Sequence, residues 1–113
     1  MHEVGLAQQT LEIALDAARR EGAQTVRKLC LRIGEWSGVE LEALRFALEL
    51  VTEGTPAEGA ELIMERVPPA CRCAACDCLF NVAEYDYHCP KCGAESQQLC
   101  QGREMDLVSL EVA

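Results

Sequence analysis

The chain has 113 residues, enough for one domain or two small ones, and half of them are hydrophobic, which excludes an intrinsically disordered protein. Ten basic against nineteen acidic residues leave a net charge of −9, the wrong sign for a nucleic-acid binder, whose affinity comes from clustered Lys and Arg. No apolar run approaches the ~20 residues that cross a bilayer.

From about Val4 to Arg20, apolar residues recur at helical spacing (Val4, Ala7, Leu11, Ala14, Ala18), with Leu15 widening the face. Glu3 and Glu12 early and Arg19 and Arg20 late complement the helix dipole, and Gly22 is the expected stop. From Thr25 to Ile33 the period changes to two, with Leu29, Leu31 and Ile33 on one face of a strand. Gly34-Glu35-Trp36-Ser37-Gly38 reads as a turn. A second helix follows from about Glu40 to Glu53, carrying Leu41, Leu44, Leu48 and Val51 on one stripe, and Gly54-Thr55-Pro56 ends it. Ala60 to Val67 is a second strand, with Leu62 and Met64 facing one way and Ile63 the other. Pro68-Pro69 then breaks the chain. After the cysteine-rich stretch, Met105 to Val112 alternates again, with Val108, Leu110 and Val112 on one face of a third strand.

The expected fold is α+β. A small three-stranded sheet carries two helices on one face, and a four-cysteine, zinc-ribbon-like module is inserted before the last strand. Residues 1–68, completed by the strand at 105–113, form the first unit, and residues 69–104 the second. An insert of roughly 35 residues is too small to fold without its metal. A C-terminal strand that returns across an insert can be exchanged between chains, so the topology is open to a homodimer.

Seven of the eight cysteines fall between Cys71 and Cys100. Cys73-x-x-Cys76 and Cys89-Pro-Lys-Cys92-Gly93 are two CxxC pairs twelve residues apart. Each pair sets two thiolates on one tight turn, a short hairpin brings the turns together, and Zn²⁺ takes four such ligands in a tetrahedron. Cys73, Cys76, Cys89 and Cys92 are therefore the expected zinc ligands. Iron in a rubredoxin-like site and a redox-active dithiol are the rival chemistries, the second disfavoured by two facing pairs. Cys71 and Cys78 are read as bystanders or surrogates, Cys30 as a packing residue and Cys100 as a surface thiol. His88 is a loop residue or a donor to a sulfur. Paired thiols without a basic, apolar leader at the start fit a reducing, cytoplasmic setting. A closed four-thiolate site has no open position for substrate or water, so it is a structural staple. No paired acid and base, phosphate loop or activated nucleophile points to an enzyme.

The other ligand candidates lie at the start. His2 adjoins the α-amine of Met1. The amine, the His2 amide and the imidazole can close fused chelate rings on one ion in a plane of nitrogens that suits Ni²⁺ or Cu²⁺, and Glu3 can complete it by amide or carboxylate. On spacing alone, a terminus with an incidental histidine explains the same residues.

Taken together, several motifs in this order resemble the HypA/HybF family of hydrogenase nickel-incorporation proteins. They are Met1-His2-Glu3, Ile33-Gly34-Glu35-x-Ser37-Gly38-Val39, Val67-Pro68-Pro69-Ala70, both CxxC pairs, and Gly102-x-Glu104-Met105 … Leu110-Glu111-Val112. The resemblance implies a nickel metallochaperone. It places Ni²⁺ on Met1, His2 and Glu3, with Glu40 at a position associated with nickel in some members, and zinc on the four CxxC cysteines. It also implies the GTPase HypB and the large subunit of [NiFe] hydrogenase as partners. Asp77 departs from the pattern where the family often has Gly, and Cys71 and Cys78 are additional thiols. The rival reading is a zinc-ribbon interaction module with no nickel role.

Overall fold

The computed structural model describes residues 3–113; Met1 and His2 lie outside the described residues. Helix α1 (Glu3–Arg20) leads to strand β1 (Val26–Gly34), helix α2 (Leu41–Thr52) and strand β2 (Glu61–Val67). Three short strands follow: β3 (Ala70–Arg72), β4 (Leu79–Asn81) and β5 (Leu99–Gln101). The chain closes with β6 (Met105–Val112). The strands form two sheets, ordered β2-β1-β6 and β4-β3-β5. The molecule is elongated, 53 × 27 × 17 Å, because the sheets have separate cores.

In the larger sheet β1 is central, parallel to β2 and antiparallel to β6. The parallel pair needs a crossover, and α2 supplies it. Leu29, Leu31 and Ile33 of β1 pack with Ala7, Ala14 and Ala18 of α1 and Leu44 and Leu48 of α2. The opposite face is polar, and Lys28 pairs with Glu111 at 3.3 Å and Arg32 with Glu65 at 3.7 Å. This is the α+β arrangement expected, with the insert between β2 and β6. Gly22, at φ +69, ends α1 in a Schellman motif: Ala23 N–H donates to Ala18 C=O at 2.9 Å and Gly22 N–H to Arg19 C=O at 3.0 Å.

Two expectations from periodicity are corrected. Val4 is half exposed, because the buried stripe of α1 centres on Ala7, Ala14 and Ala18 and leaves Val4 on its margin in the first turn. Thr10 is buried instead, and its hydroxyl returns to the Leu6 carbonyl at 2.8 Å, which satisfies it without water. Val108 does not share the inward face with Leu110 and Val112. Cys30 pairs with Ser109 but Leu31 with Leu107, so residue 108 is the extra one of a β-bulge. Leu107 turns to the core and Val108 is 52% exposed.

The second sheet holds the cysteine unit. Its buried core is small: Cys71, Cys73, Phe80, Val82 and Cys89. The two sheets meet where the chain crosses between them. Gly34 at the end of β1 lies against Gly102, and a Cβ on Gly34 would stand 2.1 Å from the Gly102 carbonyl oxygen. Backbone hydrogen bonds lace this crossing: Gly34 N–H to Glu104 C=O at 2.8 Å, Trp36 N–H to Gly102 C=O at 2.7 Å and Glu35 N–H to Val67 C=O at 2.9 Å. Trp36 then leans onto the cysteine unit, stacked on Tyr85 at 5.0 Å and edge-on to Tyr87 at 6.4 Å. The Ala83–Asp86 turn presents Tyr85 with positive φ at both Glu84 and Tyr85.

Candidate metal centre

The two CxxC segments fold alike. Asp77 N–H donates to Cys73 C=O and Gly93 N–H to Cys89 C=O, each at 2.8 Å. Cys73 N–H reaches Cys78 C=O and Cys89 N–H reaches Ala94 C=O, again at 2.8 Å. The residue four beyond the first cysteine must then turn left-handed, Gly93 at φ +78 and Asp77 at φ +63. Aspartate visits that region more readily than most residues, and Asp77 also takes the Arg72 guanidinium at 3.2 Å. The departure from glycine at this position is thereby accommodated.

The four sulfurs of Cys73, Cys76, Cys89 and Cys92 lie within 4.8 Å of one another. Cys73 and Cys92 sulfurs are 3.5 Å apart and those of Cys76 and Cys89 3.7 Å. A tetrahedral ion with bonds of about 2.3 Å needs edges of about 3.8 Å, so the cluster fits Zn²⁺. The first cysteine of each pair is buried and the second exposed.

The thiol acidities follow from this crowding. The Cys92 N–H, followed by that of Lys91, lowers the Cys89 thiol to about 7. The Cys76 N–H, with that of Ala75, lowers Cys73. Cys76 goes the other way. The Cys78 N–H acts to lower it, but desolvation and the thiols of Cys73, Cys89 and Cys92 outweigh that and push it up to about 12. Four neighbouring thiols cannot all ionise alone, whereas a bound dication takes every one as thiolate.

The remaining cysteines stand apart from this cluster. Cys71 is fully buried in β3, and burial raises its thiol. The Cys78 sulfur points to the Leu79 carbonyl at 3.4 Å. Cys30 is half-buried on the polar side of β1, and Cys100 is exposed. His88 is not turned to a sulfur: its Nδ1 meets Asp86 at 2.8 Å and its Nε2 lies 3.9 Å from Glu95.

At the other end, Glu3 and Glu40 are brought together. The Glu40 N–H donates to Glu3 Oε2 at 3.2 Å across 37 residues of sequence. Glu40 caps α2 and its exposed side chain makes no capping hydrogen bond of its own. A cavity of about 230 Å³ opens beside it, lined by Gly34, Glu35, Val39, Glu40 and Arg66 among others. Met1 and His2, the other candidate nickel ligands, lie outside the described residues. Sequence reading assigned no role to Trp36 or to the Gly34–Gly102 crossing. The chain's one tryptophan, set between glycines in a turn, was the available signal.

Two helices on a mixed sheet, joined to a cluster of four thiols that could hold a metal ion, define a small α+β protein of the metal-binding class. The family model for "Hydrogenase/urease nickel incorporation, metallochaperone, hypA" matches residues 1–112. A hydrogenase maturation factor HypA from Picosynechococcus is 48% identical over 99% of both chains, and one from Chloroflexus aurantiacus is 40% identical over 98% of both. The solution structure of the Ni metallochaperone HypA from Helicobacter pylori superposes with a TM-score of 0.70 at 26% identity, covering 99% of this chain and 97% of that one. The chain belongs to the HypA family of nickel-incorporation metallochaperones. Among the described residues no helix is long and apolar enough to cross a membrane.

Proposed function

We propose that this chain carries Ni²⁺ to [NiFe] hydrogenase during its maturation, and that zinc is structural. Nickel is cargo, held by the Met1 amine, the His2 amide and imidazole, and Glu3, with the Glu40 carboxylate as a further candidate ligand. The observation that carries this reading is the contact between Glu3 and Glu40, which joins the start of α1 to the start of α2. Residues 1–68 with 105–113 form the nickel unit and 69–104 the zinc unit. Cys73, Cys76, Cys89 and Cys92 would hold zinc, which supplies cross-linking and no chemistry, since four thiolates close its coordination. Partners are the GTPase HypB and the hydrogenase large subunit. Eight cysteines, four of them offered to a metal and the rest outside disulfides, suit a reducing compartment such as the cytoplasm.

His2→Ala is expected to abolish nickel binding near neutral pH while zinc stays bound. An extension that blocks the Met1 amine should do the same. Nickel affinity should rise steeply with pH, because amine, amide and imidazole all shed protons to bind. Titration calorimetry of tag-free wild type and His2→Ala reads both effects, and unchanged nickel affinity in the variant would sink the proposal. Zinc alone in protein equilibrated with nickel would favour an interaction module instead.

A further inference from the structure

Two units with separate cores move against each other by default, unless a large apolar interface joins them. Here the cores are separate, and the join is the backbone crossing at Gly34 and Gly102, with the Trp36 ring against Tyr85 and Tyr87 beyond it. The hydrogen bonds of the crossing converge on the turn just before β6. Gly102 C=O accepts the Trp36 N–H at 2.7 Å, and Glu104 C=O accepts the Gly34 N–H at 2.8 Å. The Glu104 side chain folds back on the same turn, where its Oε1 accepts the Gly102 N–H at 2.6 Å. Such a bond to a carboxylate is short and about twice as strong as a neutral one. Gly102, at φ +120, has no side chain to restrict its backbone, and the carboxylate supplies that restriction. Against desolvation, the Glu104 N–H, then those of Gly102 and Arg103 with the Arg32 charge from β1, hold this carboxyl below the usual carboxylate range. It is therefore ionised at neutral pH.

We infer that Glu104 is a latch that holds the cysteine unit and the helical unit as one rigid body. Its carboxylate fixes Gly102, and Gly102 C=O receives the Trp36 N–H. The Trp36 ring, stacked on Tyr85 at 5.0 Å, carries the restraint to the turn between the two CxxC pairs. The four-sulfur cluster is thereby kept at a set angle to α1 and α2, and a partner that spans both units meets them in one orientation. The latch works whichever ion fills the cluster and involves no nickel.

The test is residual dipolar coupling on the full chain loaded with zinc, together with hydrogen exchange at the Gly34 and Trp36 amides. In the wild type, couplings from the two units should fit a single alignment tensor. Glu104→Ala should require two tensors and speed exchange at both amides about tenfold, the scale of one lost hydrogen bond to a charged group. Glu104→Gln, which keeps an oxygen for the Gly102 N–H, should keep the single tensor. Glu104→Asp, one methylene shorter, should behave as the alanine variant does. Within each unit the couplings should still fit that unit's own fold, which separates release of the latch from unfolding. Two tensors in the wild type, one tensor with unchanged exchange in Glu104→Ala, or a glutamine variant indistinguishable from alanine would each overturn the inference. Loss of either unit's own fold in Glu104→Ala would overturn it as well, since a latch between units leaves each core intact.

Discussion

Replacing Cys73 by serine is expected to unfold the cysteine unit and leave the helical unit standing. The reason is the size of the second core, where three of the five buried side chains are themselves cysteines, two of them in the sulfur cluster. Its strands are three residues each, too short to hold a sheet by pairing alone. In zinc modules of this size, metal binding supplies about 10–16 kcal/mol of folding free energy. Loss of one thiolate from four opens the coordination shell and weakens that contribution. Trp36 reports the outcome, because its ring stacks on Tyr85 at 5.0 Å and it is the chain's single tryptophan. Its emission should shift to the red and zinc content should fall, while far-UV dichroism keeps the helical signal of α1 and α2. A chelator should produce the same change in the wild type. An unaltered emission spectrum in metal-free Cys73→Ser would show that the unit folds without its metal.

Gly34→Ala should destabilise the whole chain by about 3 kcal/mol or more, the upper range for overpacking. The new methyl would sit 2.1 Å from the Gly102 carbonyl oxygen and 2.5 Å from the Arg103 nitrogen. Both are backbone atoms with no rotamer by which to retreat. Gly102 cannot yield either: it lies at φ +120, and a Cβ there would stand 2.6 Å from the Pro69 Cα. Three passes of the chain are packed backbone to backbone at this point, and β1 is the central strand of the larger sheet. Denaturant unfolding measures the effect. A loss below about 0.5 kcal/mol, the range of an ordinary surface change, would mean that the backbones at Gly34 and Gly102 do not pack this closely.

How much of this was legible beforehand differs by element. Helices α1 and α2 and strands β1, β2 and β6 each run long enough to repeat a period, so apolar spacing revealed them. Strands β3, β4 and β5 do not, because three residues cannot display alternation. The bulge at Val108 was hidden for a related reason: one added residue inverts the faces, and only pairing with β1 reveals where it was added. The grouping of four sulfurs was readable because CxxC spacing is local geometry. The meeting of Glu3 with Glu40 was not readable from pattern, since it depends on how α1 lies across the start of α2; only family resemblance placed both residues near nickel. The Gly34–Gly102 crossing left no signal beyond the glycines themselves.

X-ray absorption at the nickel and zinc edges of one tag-free, doubly loaded sample bears most directly on the division of labour between the two ends of the chain. Nickel should show nitrogen and oxygen neighbours without sulfur, and zinc four sulfurs at about 2.3 Å. Sulfur bound to nickel, or fewer than four sulfurs on zinc, would contradict the separation of a transient cargo site at Met1 and His2 from a structural site at Cys73, Cys76, Cys89 and Cys92.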